Sequence, residues 1–600
     1  MVEINSKIIR RKFGDSSLLP EVSDPYLRRI VLSRGIKNSS ELELSLRSML
    51  HYSSMTGIEK ACELLYDAML RRLRIVVVGD YDVDGATSTA LAVRVLRRFG
   101  CENVSYFIPD RVSMGYGLSA EIVDMVRQQY GAELIITVDN GITSFEGADR
   151  ARELGIRLLI TDHHLSSESV PDADAIVNPN QNGCHFPSKA IAGVGVIFYV
   201  MAALRALLSA RGWFEAKGIS VPLMSSYLDL VAVGSLADVV SLDCNNRIMI
   251  RHGIEQIRRG TGNPSFPIIL FRSSRAPSLA SESDICHLIA PLLNAVGRID
   301  NMSLSIECLL SDDPARINMI VDELQNVNVR RREIENQMRS TAVELIEGMD
   351  LEPLNSIVLF DQSFHQGVIG IVASRLKDMY SRPIAVFAPS SDDEIKGSVR
   401  SVTGLNMKTV LENISRTCPD LILRYGGHAM AAGLTIRRSG LDAFTEAFRS
   451  EVAAVIGNGS SDRILYTDGY LPADHLTLDF VRAIKFLGPW GTSFEYPVFE
   501  GDFLVQKCKF INDGRHLRLS VSPEGASQEY CAMLFNIPSR IQGSDLRQCR
   551  VKLCYRLELN NWRGSFYLQL IVEDLAVLGR LSADPAPGWS PVQPVSVGHV

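Results

Sequence analysis

The chain has 600 residues, about four times the ~150 of an ordinary domain, so several packed domains are expected. Hydrophobic residues make up 46% and charged residues 22%, which excludes a mostly disordered polymer. The 62 basic and 69 acidic residues give a net charge of −7, excluding a uniform basic coat while leaving room for a local basic groove.

Met1–Ser17 has no apolar core of signal-peptide length. The longest apolar run, Ala190–Leu204, stops at Arg205, short of the ~20 residues of a membrane span, so no membrane association is expected. Eleven cysteines form no CxxC pair, which argues against a disulfide framework or a zinc site and for a cytoplasmic location.

The first fifty residues show only weak helical periodicity. Ile75-Val76-Val77-Val78 is a β-branched run stopped by Gly79 and reads as a buried parallel strand. A helical stretch, 86–99, follows; Leu134–Val138 and Arg157–Ile160 repeat the strand signal, and the alternation predicts an α/β sheet. Asp313-Pro314 has the chemistry of an N-cap and first turn. The spacing of Ile317, Ile320, Leu324, Val327, Ile334, Met338 and Leu345 then predicts one long helix with a single apolar face. Arg330-Arg331-Arg332 is expected on its other side, solvated or facing phosphates. A second α/β block runs from Ile357 to about Gly457, with another strand at 383–387. Beyond Leu465, short alternating strands at 516–521, 551–555 and 565–570 predict a small barrel of the oligonucleotide-binding kind. The tail after Ser582, with Pro585, Pro587, Pro591 and Pro594, is expected to be disordered.

The chemistry gathers at strand ends. Gly79-Asp80-Tyr81-Asp82-Val83-Asp84-Gly85 follows the first strand, at the carboxyl edge where open α/β sheets bind ligands. If that segment is extended, Asp80, Asp82 and Asp84 point the same way, and such crowded carboxylates call for a divalent cation. Asp139 ends the second strand; Asp162-His163-His164 ends the third; Asp238 stands in the apolar run 235–240, where an ionised carboxylate needs a partner. Carboxylates with imidazole and no thiolate suit manganese or magnesium.

The Asp-His-His element, with Asp-x-Asp-x-Asp-Gly ahead of it, resembles the DHH phosphoesterase superfamily. Further segments narrow the resemblance to the RecJ single-strand-specific exonucleases. They are Phe107–Arg111 with Gly115-Tyr116-Gly117, Asn178-Pro179-Asn180, Asn294–Arg298, His365–Arg375, Gly397–Ser401 and Gly426–Gly433. The resemblance covers about Leu73–Arg580. It implies an α/β multidomain fold: an N-terminal segment 1–50, a parallel-sheet DHH catalytic domain with helical extension 51–311, a connecting helix 312–349, a DHHA1-type domain 350–458, an OB-like barrel 462–580 and a tail 581–600.

By the same resemblance, Asp82, Asp84, Asp139, His163 and Asp238 are ligands of two divalent cations, Mn2+ or Mg2+, with Asp139 bridging. Asp80 is a further ligand or lies behind one, Asp162 orients a neighbour, and His164 contacts the scissile phosphate or the leaving oxygen. Arg111, Arg298 and Arg400, with Arg375 as a weaker candidate, grip phosphates. Gly426, Gly427 and His428 let a backbone approach the phosphodiester. In the barrel, Phe503, Phe510, Trp562 and Tyr567 among Lys507, Lys509, Arg515, Arg518 and Arg563 are candidates for stacking bases and tracking phosphates.

The activity implied is 5′-to-3′ exonucleolytic cleavage of single-stranded DNA to mononucleotides in recombination and repair. The chain is expected to be monomeric, with a helicase and a single-strand-binding protein as partners. The rival readings are a phosphoesterase of short oligonucleotides or small phosphate compounds, which needs no barrel, and a non-catalytic DNA-binding scaffold, which needs no intact ligand set.

Overall fold

The computed structural model describes residues 6–580 except 16, 112–113, 352–353, 392, 458–462, 512–513, 538–540, 542–544 and 563–564. The proline-rich tail and Arg563 therefore lie outside the described residues, as does the side chain of Trp562. The chain divides into two compact units, one from the described parts of 43–461 with 489–494, the other from those of 1–42, 462–488 and 495–600.

In the larger unit, five parallel strands stand in the order Val104–Phe107, Ile75–Gly79, Leu134–Val138, Arg157–Thr161 and Ala175–Val177. Ile75–Gly79 and Leu134–Val138 are buried throughout, which is why they read as unbroken apolar runs. The chain leaves Ile75–Gly79 toward one side of the sheet and returns on the other. The carboxyl ends of Ile75–Gly79 and Leu134–Val138 thus flank the point where strand order reverses and a crevice opens.

The helix after the first strand is Val83–Arg98, three residues longer at its start than the sequence suggests. Asp82 is its N-cap, accepting from Gly85 N at 3.0 Å, and Asp84 sits in its first turn. The alternating carboxylates are therefore not on an extended segment; a strand-to-helix turn brings them together. The apolar helix Gly193–Ala210 continues past Arg205. It is long and apolar enough to cross a membrane by length and composition, but most of it is buried within this unit.

Asp313 caps the long helix Pro314–Glu347 as expected, accepting from Ala315 N at 3.0 Å. Ile317, Ile320, Leu324, Val327 and Met338 are buried, but Leu345 is 37% exposed and Ala342 and Ile346 pack in its place. Arg331 departs from the expected solvated or phosphate-facing row. It is buried, donating to Glu335 Oε2 at 2.7 Å and Asn328 Oδ1 at 3.1 Å. The second block is a mixed sheet in the order Arg424–Gly427, Ala431–Arg437, Glu394–Arg400, Ile384–Pro389 and Ile357–Phe360; the first is an exposed edge strand.

The smaller unit contains a closed five-stranded barrel of Phe499–Ile511, His516–Pro523, Tyr530–Leu534, Ser565–Arg580 and Cys549–Trp562. The N-terminal strand Ser6–Arg10 pairs in parallel with Arg463–Thr467 of the same unit. Within the barrel Phe503 is a core residue, Phe510 is half-buried and Tyr567 is exposed, so of these three only Tyr567 offers an open ring face. Phe535 and Phe566 are exposed as well.

Candidate active site

Asp139 occupies the end of Leu134–Val138 with φ +62°, a left-handed conformation that aspartate tolerates better than most residues. Its amide continues the ladder to Thr161 O at 3.0 Å, so the turn starts without losing a sheet hydrogen bond. Asp139 Oδ1 lies 3.0 Å from His163 Nε2, which is also 3.6 Å from Asp238 Oδ2 and 3.9 Å from Asp84 Oδ2. Ligand atoms fall into three groups, each within 4.8 Å: Asp84–His163–Asp238, Asp139–His163–His164 and Asp80–Asp82–Asp139. Asp139 and His163 each belong to two. The five residues expected as ligands, and Asp80, are thus brought together.

Asp84 has a second task. Its Oδ2 accepts from Gly193 N at 2.7 Å and its Oδ1 from Val194 N at 3.0 Å, capping the buried helix Gly193–Ala210. Asp238 is the C-cap of Leu228–Ala237 and remains partly exposed. Asp162 belongs to none of the three groups. Its carboxylate accepts from the amides of Ile142, His163 and His164, and from His164 Nδ1 at 2.8 Å, fixing that ring.

The electrostatics follow from this packing. Burial and repulsion from Asp82 push Asp84 up to about 7 and, with Asp84 added, Asp238 up to about 8; Asp80 and Asp139 are also raised. Burial and the neighbouring His164 lower His163 to about 4, so it is neutral at pH 7, as a ligand must be. Burial opposes charge on His164, but the Asp162 hydrogen bond and nearby carboxylates raise it to about 9. The residues fit a divalent metal. Asp139 Oδ1 and His163 Nε2 are buried without hydrogen-bond partners, and oxygen with imidazole donors suits Mn2+ or Mg2+.

A pH dependence follows. The raised carboxylates and raised His164 stabilise the chelated protein fully below their unfolded pKa values, and that contribution is lost as pH climbs through about 7 to 9. His163 is already neutral in both states over most of that window, from about 6.5 upward. The Tm in EDTA is therefore expected to fall between pH 6.5 and 9, and Mn2+ to restore it with release of protons, measured by scanning fluorimetry and by calorimetry in buffers of different ionisation enthalpy. A Tm flat over this range and indifferent to Mn2+ would refute a shared site.

Around the cluster, Arg111 lies over the Tyr81 ring at 4.7 Å. Arg298 donates to Gly367 O at 3.4 Å, and Arg400 to Ser398 Oγ and Val399 O, each at 2.9 Å. Burial and repulsion from Arg111 lower both, Arg298 to about 10, and none of the three has an ion pair among the described residues. Arg375 differs: it is ion-paired with Glu335. Gly427 has φ +140° in a tight hairpin, where a Cβ would meet Ala431 O at 2.5 Å, while a Cβ at Gly426 meets nothing. The His428 ring lies 6.3 Å from that of His164 and nearly parallel to it, so the hairpin reaches the site.

Residues that sequence reasoning did not assign also build the site. Tyr116 OH is 3.0 Å from His164 Nδ1 and 3.3 Å from Asp139 O. Asn178 and Asn180 donate to the carbonyls of His164 and His163, and Asn294 Oδ1 accepts from Val83 N. All four lie in the segments that carry the resemblance, which was the only signal pointing to them.

This fold and site define a DHH-class phosphoesterase: the family model for the DHH family, N-terminal domain, matches residues 74–235, and the DHHA1 domain matches 354–454. The RecJ OB domain matches 467–574. The single-stranded-DNA-specific exonucleases RecJ of Salmonella typhimurium and Escherichia coli are 41% and 40% identical over 94% of this chain and 98% of theirs. RecJ from Thermus thermophilus, solved in complex with Mn2+, matches with a TM-score of 0.78 at 27% identity, covering 97% of this chain and 81% of that one. A second structure, in complex with Mg2+, gives 0.72 at 26% identity, over 98% and 80%. The chain belongs to the RecJ family of single-stranded-DNA-specific exonucleases.

Proposed function

We propose that the protein removes mononucleotides from the 5′ end of single-stranded DNA by metal-dependent hydrolysis, in recombination and repair. The observation that carries this reading is the convergence of three successive strand ends and Asp238 on two orphaned ligand atoms, Asp139 Oδ1 and His163 Nε2. Asp82, Asp84, Asp139, His163 and Asp238 would hold two divalent cations, with Asp139 shared and Asp80 beside Asp82. When bound, such cations activate water and offset charge developing on the attacking and leaving oxygens.

His164 is charged at neutral pH and held through Nδ1, which leaves Nε2 to donate to a phosphate or leaving oxygen. Arg111, Arg298 and Arg400 are half-buried or clustered positive charges that repel one another, an arrangement that suits a phosphate anion. Replacing Arg298 or Arg400 with alanine is expected to weaken binding of single strands about tenfold and to reduce the salt slope by about one unit, read by fluorescence anisotropy across a salt series. An unchanged slope removes the phosphate role. Arg375, engaged by Glu335, is expected to matter less.

The Gly426–Gly427–His428 hairpin would bring its backbone beside the same phosphodiester, and Tyr567 would stack a base. Duplex ends need opening before such a site can act, so a helicase and a single-strand-binding protein are the proposed partners of a monomeric, cytoplasmic enzyme. Digestion of 5′-labelled single strands, blunt duplex and short RNA with Mn2+ tests the whole reading. Release of labelled mononucleotide from the single DNA strand is expected, and efficient cleavage of blunt duplex alone, or no cleavage at all, overturns it.

A further inference from the structure

Asp238 ends the helix Leu228–Ala237, and the chain turns directly after it. Val239 has φ +58°, a left-handed conformation that a β-branched side chain resists. The residue is 66% exposed, so little packing of its own offsets that cost, and the turn persists because the residues beyond it are held. Two elements hold them. In the helix Cys244–Arg259, Asn246 Nδ2 donates to Ser241 O at 2.9 Å, and Asp243 caps the helix by accepting from Asn246 N at 2.9 Å. The second element is Pro489–Phe494, a segment that packs in the larger unit although the chain on both sides of it belongs to the smaller one.

Thr492 O accepts from Leu242 N at 2.8 Å, and Ser493 Oγ lies 2.9 Å from Ser241 Oγ. Leu242 is buried beside Gly491, where a Cβ would lie 2.8 Å from Leu242 Cδ1. Pro489–Phe494 is in turn closed on itself. Gly491 and Phe494 exchange backbone hydrogen bonds at 3.0 and 3.1 Å, making a tight turn. The Trp490 and Phe494 rings stack at 4.9 Å, and the guanidinium of buried Arg247 lies over the Phe494 ring at 3.8 Å. Arg247 belongs to the helix that Asp243 caps, so segment and helix grip the turn together.

We infer that Pro489–Phe494 is a strap that holds the turn after Asp238 in the conformation that binds metal, with Gly491 and Phe494 as positioning residues. The segment contains no carboxylate, imidazole or thiol, so it acts through Asp238 and not as a ligand. Once the strap is loosened, Val239 relaxes out of the left-handed region, the helix end frays, and the Asp238 carboxylate leaves the Asp84–His163–Asp238 group. The inference rests on the metal role proposed for Asp238, but Mn2+ binding is measured without DNA or cleavage.

The full chain is titrated with Mn2+ and the free ion is followed by its paramagnetic resonance signal. Phe494→Leu removes the ring under Arg247, and Gly491→Ala presses on Leu242. Each is expected to raise the Kd for Mn2+ about tenfold, the lower end of what loss of a ligand-orienting contact costs. In cleavage, the Mn2+ concentration for half-maximal rate is expected to rise by the same factor, with KM for single strands near parental. Adding Val239→Gly to Phe494→Leu is expected to return most of the lost affinity, because glycine adopts φ +58° without strain. Phe99→Leu, at a buried position at the other end of Val83–Arg98 from the ligands, is the control: its Tm is expected to fall as in Phe494→Leu, with Mn2+ affinity unchanged. Parental Mn2+ affinity in both strap variants, no recovery with Val239→Gly, or an equal loss of affinity in Phe99→Leu overturns the inference. Failure of the parent protein to cleave single strands overturns the nuclease reading alone, and the Mn2+ titrations decide the strap separately.

Discussion

Asp139→Ala is expected to lower metal-dependent cleavage of single-stranded DNA by at least about 10^3-fold while leaving the chelated protein folded. The reason is a division of labour at the sheet edge. Asp139 belongs to two of the three ligand groups, yet its Oδ1 makes no hydrogen bond, so the carboxylate serves the site and not the fold. Burial and repulsion from Asp84, Asp82, Asp80 and Asp238 disfavour its charge, and removing it relieves that repulsion. Against this, alanine at φ +62° costs about 1 kcal/mol. Asp139→Asn avoids the backbone cost and keeps the shape; its Tm in EDTA is expected to exceed that of the parent, with cleavage still lost. Asp84→Ala is the contrasting case: it also loses two backbone hydrogen bonds at a buried helix start, about 1–2 kcal/mol, so lost cleavage there mixes two causes. Cleavage by either Asp139 variant near the parental rate removes Asp139 from the metal centre.

Those two aspartates show what the sequence could and could not reveal. Buried parallel strands are legible because burial on both faces leaves unbroken apolar runs, and the carboxylates at their ends stand out against that background. The local path through Asp80, Asp82 and Asp84 is not legible: it is a strand-to-helix turn and not an extended segment. Gly85 in the first turn hides the helix start, although Asp82 caps it by accepting from that glycine. Asp84 as a cap was invisible, since the helix it caps begins at Gly193, far along the chain. Arg331 reads as one of three arginines that are solvated or face phosphates; Glu335, one turn on, is the available clue to its burial. The place of Tyr116 and the pairing of Ser6–Arg10 with Arg463–Thr467 depend on long-range contacts that no local pattern encodes. The barrel was legible as alternating strands, but alternation alone could not say that Phe503 points inward and Tyr567 outward.

Gly193→Ala is expected to cost about 100-fold in kcat through a single methyl group. A Cβ at this position would lie 2.6 Å from Asp139 Cβ, 2.7 Å from Asp139 Oδ1 and 2.9 Å from Asp139 Cα, closer than such atoms approach in folded proteins. Neither side can yield freely. The Gly193 amide is held at 2.7 Å by Asp84 Oδ2, and Asp139 is already in the left-handed region with its amide bonded to Thr161. The methyl must therefore separate Asp139 from the helix start, spreading the two ligand groups to which Asp139 belongs. Arg298 and Arg400 are on other elements, and the atoms nearest the added methyl all belong to Asp139, so KM for single strands and the salt slope are expected to stay near parental values. The Mn2+ concentration needed for half-maximal rate is expected to rise, because the displaced carboxylate binds less well. Steady-state kinetics across a Mn2+ series measure both quantities. Parental kcat with parental Mn2+ dependence would mean that helix and aspartate separate without consequence, and that the close approach at Gly193 does not set the ligand geometry.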